Sequence, residues 1–178
     1  RLIISIKRNI YNNRQIDFNY GLNTACKISD IKIIKCMIYN GAYKFNQALM
    51  FACENGDNDI INYIISKKQI GVCVINGVND FNYGLEGACI NGNEEIINMM
   101  IEKGANDWNL GLAGGCFGGH IEIVKQMIDK GANNWNLGLN NACDKNDNKD
   151  IINLMIEKGA NDWNLGLYSA CSGGSIEN

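Results

Sequence analysis

One thirteen-residue string, MIEKGANDWNLGL, occurs twice in this chain, at 100–112 and at 155–167. A near copy, MIDKGANNWNLGL, lies between them at 127–139. Such repetition restricts the fold more than any other feature, because a chain that repeats one short unit must stack similar structural units. The aromatic residues that open the copies at 81, 108 and 135 follow one another at intervals of 27 residues. The period therefore predicts a linear array of small repeats.

Alignment on this aromatic residue divides the chain into six copies. We place repeats 1 to 6 at 17–43, 44–79, 80–106, 107–133, 134–161 and, truncated, 162–178. Repeat 2 is lengthened by an insertion near 67–78, which is either an irregular loop or a β-hairpin, since Asn76-Gly77 is a hairpin-turn dipeptide. Residues 1–16 fit a degraded second helix of a preceding repeat, so we expect the chain to be a segment of a longer protein.

Each copy has the pattern of two short helices. In repeat 4, apolar and small residues recur with helical spacing at Leu112 and Cys116, and a second such pattern follows over 123–128. One pair of this size is too small to bury its own apolar face, whereas stacked pairs bury each other's faces. The sequence therefore predicts an all-α solenoid without a separate core for each repeat.

Polar and glycine positions mark the expected helix ends. Gly104, Gly131 and Gly159 follow the second helices, where a left-handed residue without a Cβ is favoured. The Asn that follows each opening aromatic, as in Asn109 and Asn136, is predicted to be the N-cap of the first helix, since Asn is a good capping residue. We also read the glycines around Gly114 and Gly118 as a poorly filled first helix that is locally weak.

The segment GCFGGHIEIVKQMIDKGA at 115–132 resembles the ankyrin repeat, and the resemblance covers nearly all of 17–178. Two features depart from that family: Leu-Gly-Leu at 137–139 replaces its Thr-Pro-Leu-His opening, and each repeat lacks the residues of the β-hairpin finger. The short, Trp-rich variety is similar to ankyrin proteins of giant DNA viruses that infect amoebae. The resemblance implies an ankyrin-repeat solenoid with a protein-binding face and, for a viral protein, a host partner in the cytoplasm.

No residue pattern indicates chemistry. One cysteine recurs in each first helix, so we expect a column of free, buried thiols rather than disulfides or a metal site; these are Cys26, Cys53, Cys89, Cys116, Cys143 and Cys171. The single histidine, His120, falls at a helix start, where the repeat itself explains it. A net charge of −3 with scattered Lys and Arg argues against nucleic acid. We therefore predict no catalytic residue, cofactor, metal, membrane span or small-molecule substrate.

The first helices also predict a binding face. Positions equivalent to Ala113, Gly114 and Phe117 lie between the buried ones, differ most between copies and are expected to point to solvent. The candidate partner-binding residues on this face are Met50, Phe51, Glu54, Glu86, Ile90, Phe117, Asn140, Asn141 and Asp144. Phe51 and Phe117 are the expected hot spots, because aromatic residues dominate most interfaces. Neutral drift of an exposed surface would give the same variation, and the sequence leaves both readings open.

We expect a structural role for the aromatic residues that open the copies. Because Trp108, Trp135 and Trp163 stay aromatic while the proposed binding face varies, we expect each ring to pack between neighbouring repeats. The function predicted from the sequence is thus a non-catalytic module that binds another protein through its first helices. The alternative is a targeting or spacer segment of a larger enzyme or ubiquitin-ligase adaptor, whose functional domain would lie outside this chain.

Overall fold

The computed structural model describes residues 16–67, 77–144 and 148–172. The predicted helix over 1–16 and the hairpin near 67–78, with Cys73, lie almost wholly outside the described residues. Eleven helices occur within the described ranges: α1 Phe18–Lys27, α2 Ile31–Tyr39, α3 Phe45–Asn55, α4 Asn58–Ile65, α5 Asn82–Asn91, α6 Glu94–Glu102, α7 Trp108–Gly118, α8 Ile121–Asp129, α9 Trp135–Cys143, α10 Lys149–Lys158 and α11 Trp163–Ser172. The described part of the chain contains no strand.

The helices alternate between two layers. Odd-numbered first helices, α1 to α11, stack side by side, and each even-numbered second helix packs on the first helix of its own repeat. The predicted all-α solenoid of stacked helix pairs is confirmed. The core is a single cluster that runs along the stack, and it contains the leucines and cysteines of the first helices α1 to α7 together with isoleucines and methionines of the second helices. No repeat has a core of its own, so each depends on its neighbours for burial.

Short polar side chains cap several of the helices, but they are not the predicted ones. Asp17 and Asp107 accept hydrogen bonds from the second and third backbone N–H groups of α1 and α7. Asn109, one residue past the opening aromatic, is already inside α7. The prediction that Asn109 and Asn136 are N-caps is therefore wrong: the cap lies two residues earlier, and the Asn side chain is directed to another partner.

That partner is the loop that connects its own repeat to the following one. The Oδ1 atom of Asn109 accepts hydrogen bonds from the backbone N–H groups of Asn133 and Asn134, both at 2.9 Å. Asn136 accepts in the same way from the N–H groups of Asn161 and Asp162. Equivalent pairs of bonds are made by Asn19, Asn46 and Asn82. This column, which we call the Asn clamp, joins each repeat to the next.

A second row of bridges lies at the opposite end of the helices. His120 Nε2 is 3.1 Å from the carbonyl oxygen of Ile90, and its ring covers Gly92 in the preceding repeat. Asn148 Nδ2 donates to the carbonyl oxygen of Cys116, and Asn91 Nδ2 donates to that of Glu54. The structural role predicted for His120 thus has a specific form: it closes the contact between repeats 3 and 4.

The glycines of the first helices are sites of close packing. A Cβ on Gly114 would lie 2.4 Å from the carbonyl oxygen of Glu86, and one on Gly118 would lie 2.4 Å from that of Ile90. Both distances are far shorter than a normal contact, so α5 and α7 approach this closely only because the side chains are absent. The interpretation of α7 as a poorly filled helix is wrong, since its glycines allow the backbones of α5 and α7 to pack closely against each other.

The second helices end as predicted. Gly104, Gly131 and Gly159 have φ values of 105°, 111° and 112°, a left-handed conformation that strains any residue with a Cβ. The backbone N–H groups of the following alanines reach back to close the turn, as in the bond from Ala132 N to Met127 O. The turn fixes where the chain leaves each second helix and enters the loop that the Asn clamp holds.

Candidate functional site

A shallow groove runs across the first helices on the side away from the second layer. Its volume is about 260 Å³. Five successive first helices contribute its lining, which consists of Lys27, Met50, Phe51, Glu54, Glu86, Ile90, Ala113, Gly114, Phe117 and Asn141. Ligand pockets for small molecules usually occupy about 300–1,000 Å³. Because its volume is below that range, the groove is better suited to hold one or two side chains of a partner than to enclose a small molecule.

Seven of the nine candidate partner-binding residues lie together in this groove, spread over repeats 2 to 5. The two others do not line it. Asn140 Oδ1 accepts a hydrogen bond from Ser169 Oγ, which commits its side chain to the contact with α11. Asp144 follows the last residue of α9 and lies at the end of that helix. The structure adds Lys27, Ala113 and Gly114, which the prediction of partner-binding residues had not included.

The residues of this face do not all point to solvent. Ala113 is only 4% exposed, and Phe51 and Phe117 are half-buried. The reason is the close stacking of the first helices: a Cβ on Gly87 would lie 2.1 Å from the carbonyl oxygen of Met50. The expectation that these positions are free of packing constraints is therefore wrong. Their identities are partly set by the distance between neighbouring helices.

Repeat 2 shows how that distance varies along the stack. Phe51 occupies the position that is Gly87 in repeat 3 and Gly114 in repeat 4. Its ring packs against the core and carries the Lys27 ammonium group 4.2 Å from its centroid. A bulky ring is accommodated between α1 and α3, whereas only glycine fits between α3 and α5. The groove therefore has an aromatic, cationic end and a narrow centre.

The centre of the groove carries negative charge. Burial raises the pKa of Glu86, and the neighbouring carboxylates of Asp107 and Glu54 raise it further. Among the residues that the structure describes, the single ion pair is Lys125–Glu122, on the second-helix layer. Glu54 and Glu86 thus have no cationic partner within the described chain. Two carboxylates are held near each other beside apolar side chains, where a cation would be favoured.

The aromatic column lies on the loop side, away from the groove. Trp108 packs against the core, its Cδ1 atom is 3.9 Å from where a Cβ on Gly131 would be, and Lys130 Nζ is 5.3 Å from the ring centroid. Gly131 and Lys130 belong to the same repeat as Trp108. These two contacts lie within one repeat, and the packing of the ring between neighbouring repeats stays a prediction. Trp163, in repeat 6, is 57% exposed.

The cysteine column is buried only in part. Cys26, Cys53, Cys89 and Cys116 are fully buried, and burial raises the pKa of each thiol to about 12. Cys143 is half-buried, with its pKa also raised by burial, and Cys171 is exposed. All cysteines among the described residues are free. The prediction of six buried thiols is therefore wrong for Cys143, the last residue of α9, and for Cys171, whose helix α11 has a neighbouring first helix on one side only.

These observations define a class: a solenoid of short helix pairs with a groove across its first helices. The family model for ankyrin repeats, in three copies, matches residues 22–111. The chain therefore belongs to the ankyrin repeat family. Among solved structures it is similar to the human ASB11 ankyrin repeat domain, with 20% sequence identity and a TM-score of 0.44 over 89% of this chain and 79% of that one. No curated protein matches the sequence.

Two further observations concern metal sites and membrane-spanning helices. Within the described ranges, no three His, Cys, Asp or Glu side chains come together as they would around a metal ion. In the same part of the chain, none of the helices has the length and hydrophobicity needed to cross a bilayer. Ankyrin repeats are in general non-catalytic scaffolds that bind other proteins.

Proposed function

We propose that this chain binds another protein through the groove across its first helices, with no catalytic role of its own. The observation that carries the proposal is the groove itself. It brings together Met50, Phe51, Ile90 and Phe117 from three repeats, and aromatic residues and Met are enriched at the cores of interfaces. The two carboxylates between them supply the polar groups that give an interface its specificity.

The size of the groove supports a narrow point of recognition within a wider contact. A volume of about 260 Å³ accommodates one or two partner side chains, which suits a hot spot surrounded by weaker contacts. The resemblance of the repeats to those of giant viruses favours a host cytoplasmic protein as the partner. Phe51 and Phe117 are the proposed hot spots.

The test is retention of a partner by immobilised protein from a eukaryotic cell lysate, identified by mass spectrometry. The double variant Phe51→Ala with Phe117→Ala is expected to lose that partner. The matched control is Tyr39→Ala, which removes a ring that is 90% exposed at the end of α2, in the second-helix layer. Circular dichroism confirms that each variant folds. Retention of the same partner by the folded double variant would contradict the proposal.

A further inference from the structure

The groove is apolar along its walls and acidic at its centre, and the two features are fixed by one packing contact. Gly87 lets α5 lie so close to α3 that a Cβ on it would be 3.0 Å from the backbone nitrogen of Glu54. Glu86, the preceding residue, is therefore held beside Glu54, and both line the groove. The two glutamates are thus brought together by the packing of two helix backbones and not by loops.

Among the residues that the structure describes, nothing offsets the charge of these two carboxylates. Two carboxylates near each other repel, and partial burial removes the water that would screen them. The nearest positive charge in the groove, Lys27, lies over the Phe51 ring at the α1 end and forms no ion pair with either carboxylate. A cation supplied from outside would therefore gain more here than at an ordinary surface carboxylate.

We propose that the groove takes an arginine side chain of the partner protein, held between Glu54 and Glu86, with a neighbouring apolar side chain of the partner against Ile90 and Met50. This inference rests on the proposed function and names the chemistry of its recognition. Arginine is preferred over lysine because the guanidinium group is weakly hydrated and its five donors, arranged in a plane, reach two carboxylates at once. The apolar neighbour is required because the carboxylates occupy only the centre of the lining.

The probe is a set of short synthetic peptides in which one central residue is flanked by apolar residues. The central residue is arginine, its neutral isostere citrulline, lysine or glutamate. Binding is measured by fluorescence polarisation to wild type, Glu86→Gln, Glu54→Gln and the control Glu95→Gln, whose side chain is exposed on α6, outside the groove. Thermal unfolding checks that each variant is folded, which the close similarity in shape of Gln and Glu favours.

We expect wild type to bind the arginine peptides about 30-fold or more tightly than the citrulline peptides, the loss typical of removing one partner of a desolvated charge pair. Glu86→Gln should abolish that preference, Glu54→Gln should reduce it, and Glu95→Gln should leave it intact. Equal binding of arginine and citrulline peptides by wild type would overturn the inference while leaving the groove as a binding site. Failure of every peptide to bind wild type would also overturn the inference, whereas the proposed function is contradicted separately, by retention of the lysate partner in the folded Phe51/Phe117 double variant.

Discussion

The two identical strings, at 100–112 and 155–167, have different environments. Leu112 is fully buried, whereas its counterpart Leu167 is 65% exposed. Trp108 is half-buried and Trp163 is 57% exposed; Ile101 is half-buried and Ile156 is 38% exposed. Three pairs of equivalent residues are buried in both copies: Met100 and Met155, Ala105 and Ala160, and Gly111 and Gly166. The burial of these identical residues therefore depends on the helices that stack against them.

The point at which the two copies diverge identifies the source of burial. Met100 and Met155 lie on second helices and fill the space left by a glycine of their own repeat, Gly84 and Gly138. The first helix that follows differs. Among the described first helices, α7 is stacked between α5 and α9, while α11 has a neighbouring first helix, α9, on one side only. Packing within a repeat is thus determined by the residues of that repeat, whereas burial of a first helix requires a neighbouring first helix on each side.

The largest expected difference between the copies concerns leucine. Leu112→Ala removes a fully buried side chain between two first helices and should lower the free energy of unfolding by about 3 kcal/mol or more. Leu167→Ala removes an exposed side chain and should change it by no more than about 0.5 kcal/mol. Urea denaturation of both variants makes the comparison. Equal losses would mean that α11 is covered in solution as α7 is.

Replacement of the two tryptophans should change the free energy of unfolding in the same direction, with a smaller difference between the copies. Trp108→Ala loses contacts with the core and with the turn at Gly131, and we expect a loss of about 2–3 kcal/mol, below that of a fully buried ring. Trp163→Ala should cost less than about 1 kcal/mol, because more than half of its surface is exposed. Denaturation followed by circular dichroism avoids relying on the removed fluorophore. A costly Trp163→Ala would contradict the exposed position of that ring.

The glycines provide a control in which the copies should agree. Gly104 and Gly159 have φ values of 105° and 112°, and their cost of substitution arises from the backbone conformation and not from stacking. Gly104→Ala and Gly159→Ala should each cost about 1–2 kcal/mol, with little difference between them. Hydrogen exchange of α6 and α10 reports each turn locally. A cost at only one site would show that stacking, too, restricts these turns.

Much of the fold could be predicted because local rules determine it. The period, the helix pairs and the positive φ of Gly131 each follow from a few neighbouring residues. The direction of the Asn109 side chain could not be predicted, because polar residues lie on both sides of Trp108 at the helix start and only the packing of the folded stack selects which of them caps the helix. The available signal was Asp107, which is also a good capping residue and precedes the ring.

The candidate site was predicted in outline for a similar reason. Helical phase placed Phe51, Glu86 and Ile90 on one face, and the structure brings them into one groove. The extent to which these side chains are buried depends on the separation of neighbouring first helices. That separation varies between repeats and is set by the glycine at positions such as Gly87. Glycine at this position in two successive repeats, Gly87 and Gly114, is the sequence signal for closely packed backbones, and the interpretation of such glycines as weak packing missed it.

The smallest predicted effect tests the cysteine column through pH. Burial raises the pKa of Cys116 from 9.0 to about 12, whereas Cys171, its counterpart after the second string, is exposed. As pH rises past the unfolded value of 9.0, the unfolded chain loses the Cys116 proton while the folded chain keeps it. The unfolded state then binds fewer protons, so this thiol's contribution to stability is complete below pH 9 and is lost between pH 9 and pH 12.

The matched variants are Cys116→Ala and Cys171→Ala. Removal of the buried thiol should reduce the fall in unfolding free energy between about pH 8 and about pH 10 by roughly 1 kcal/mol, since one pKa unit corresponds to about 1.4 kcal/mol. Removal of Cys171 should leave the fall unchanged, and at neutral pH a thiol reagent should modify Cys171 long before Cys116, whose thiolate is scarce and inaccessible. If Cys116→Ala has the wild-type pH profile, or both thiols react at the same rate, the buried thiol column does not persist in solution and the contrast between the two ends of the stack is lost.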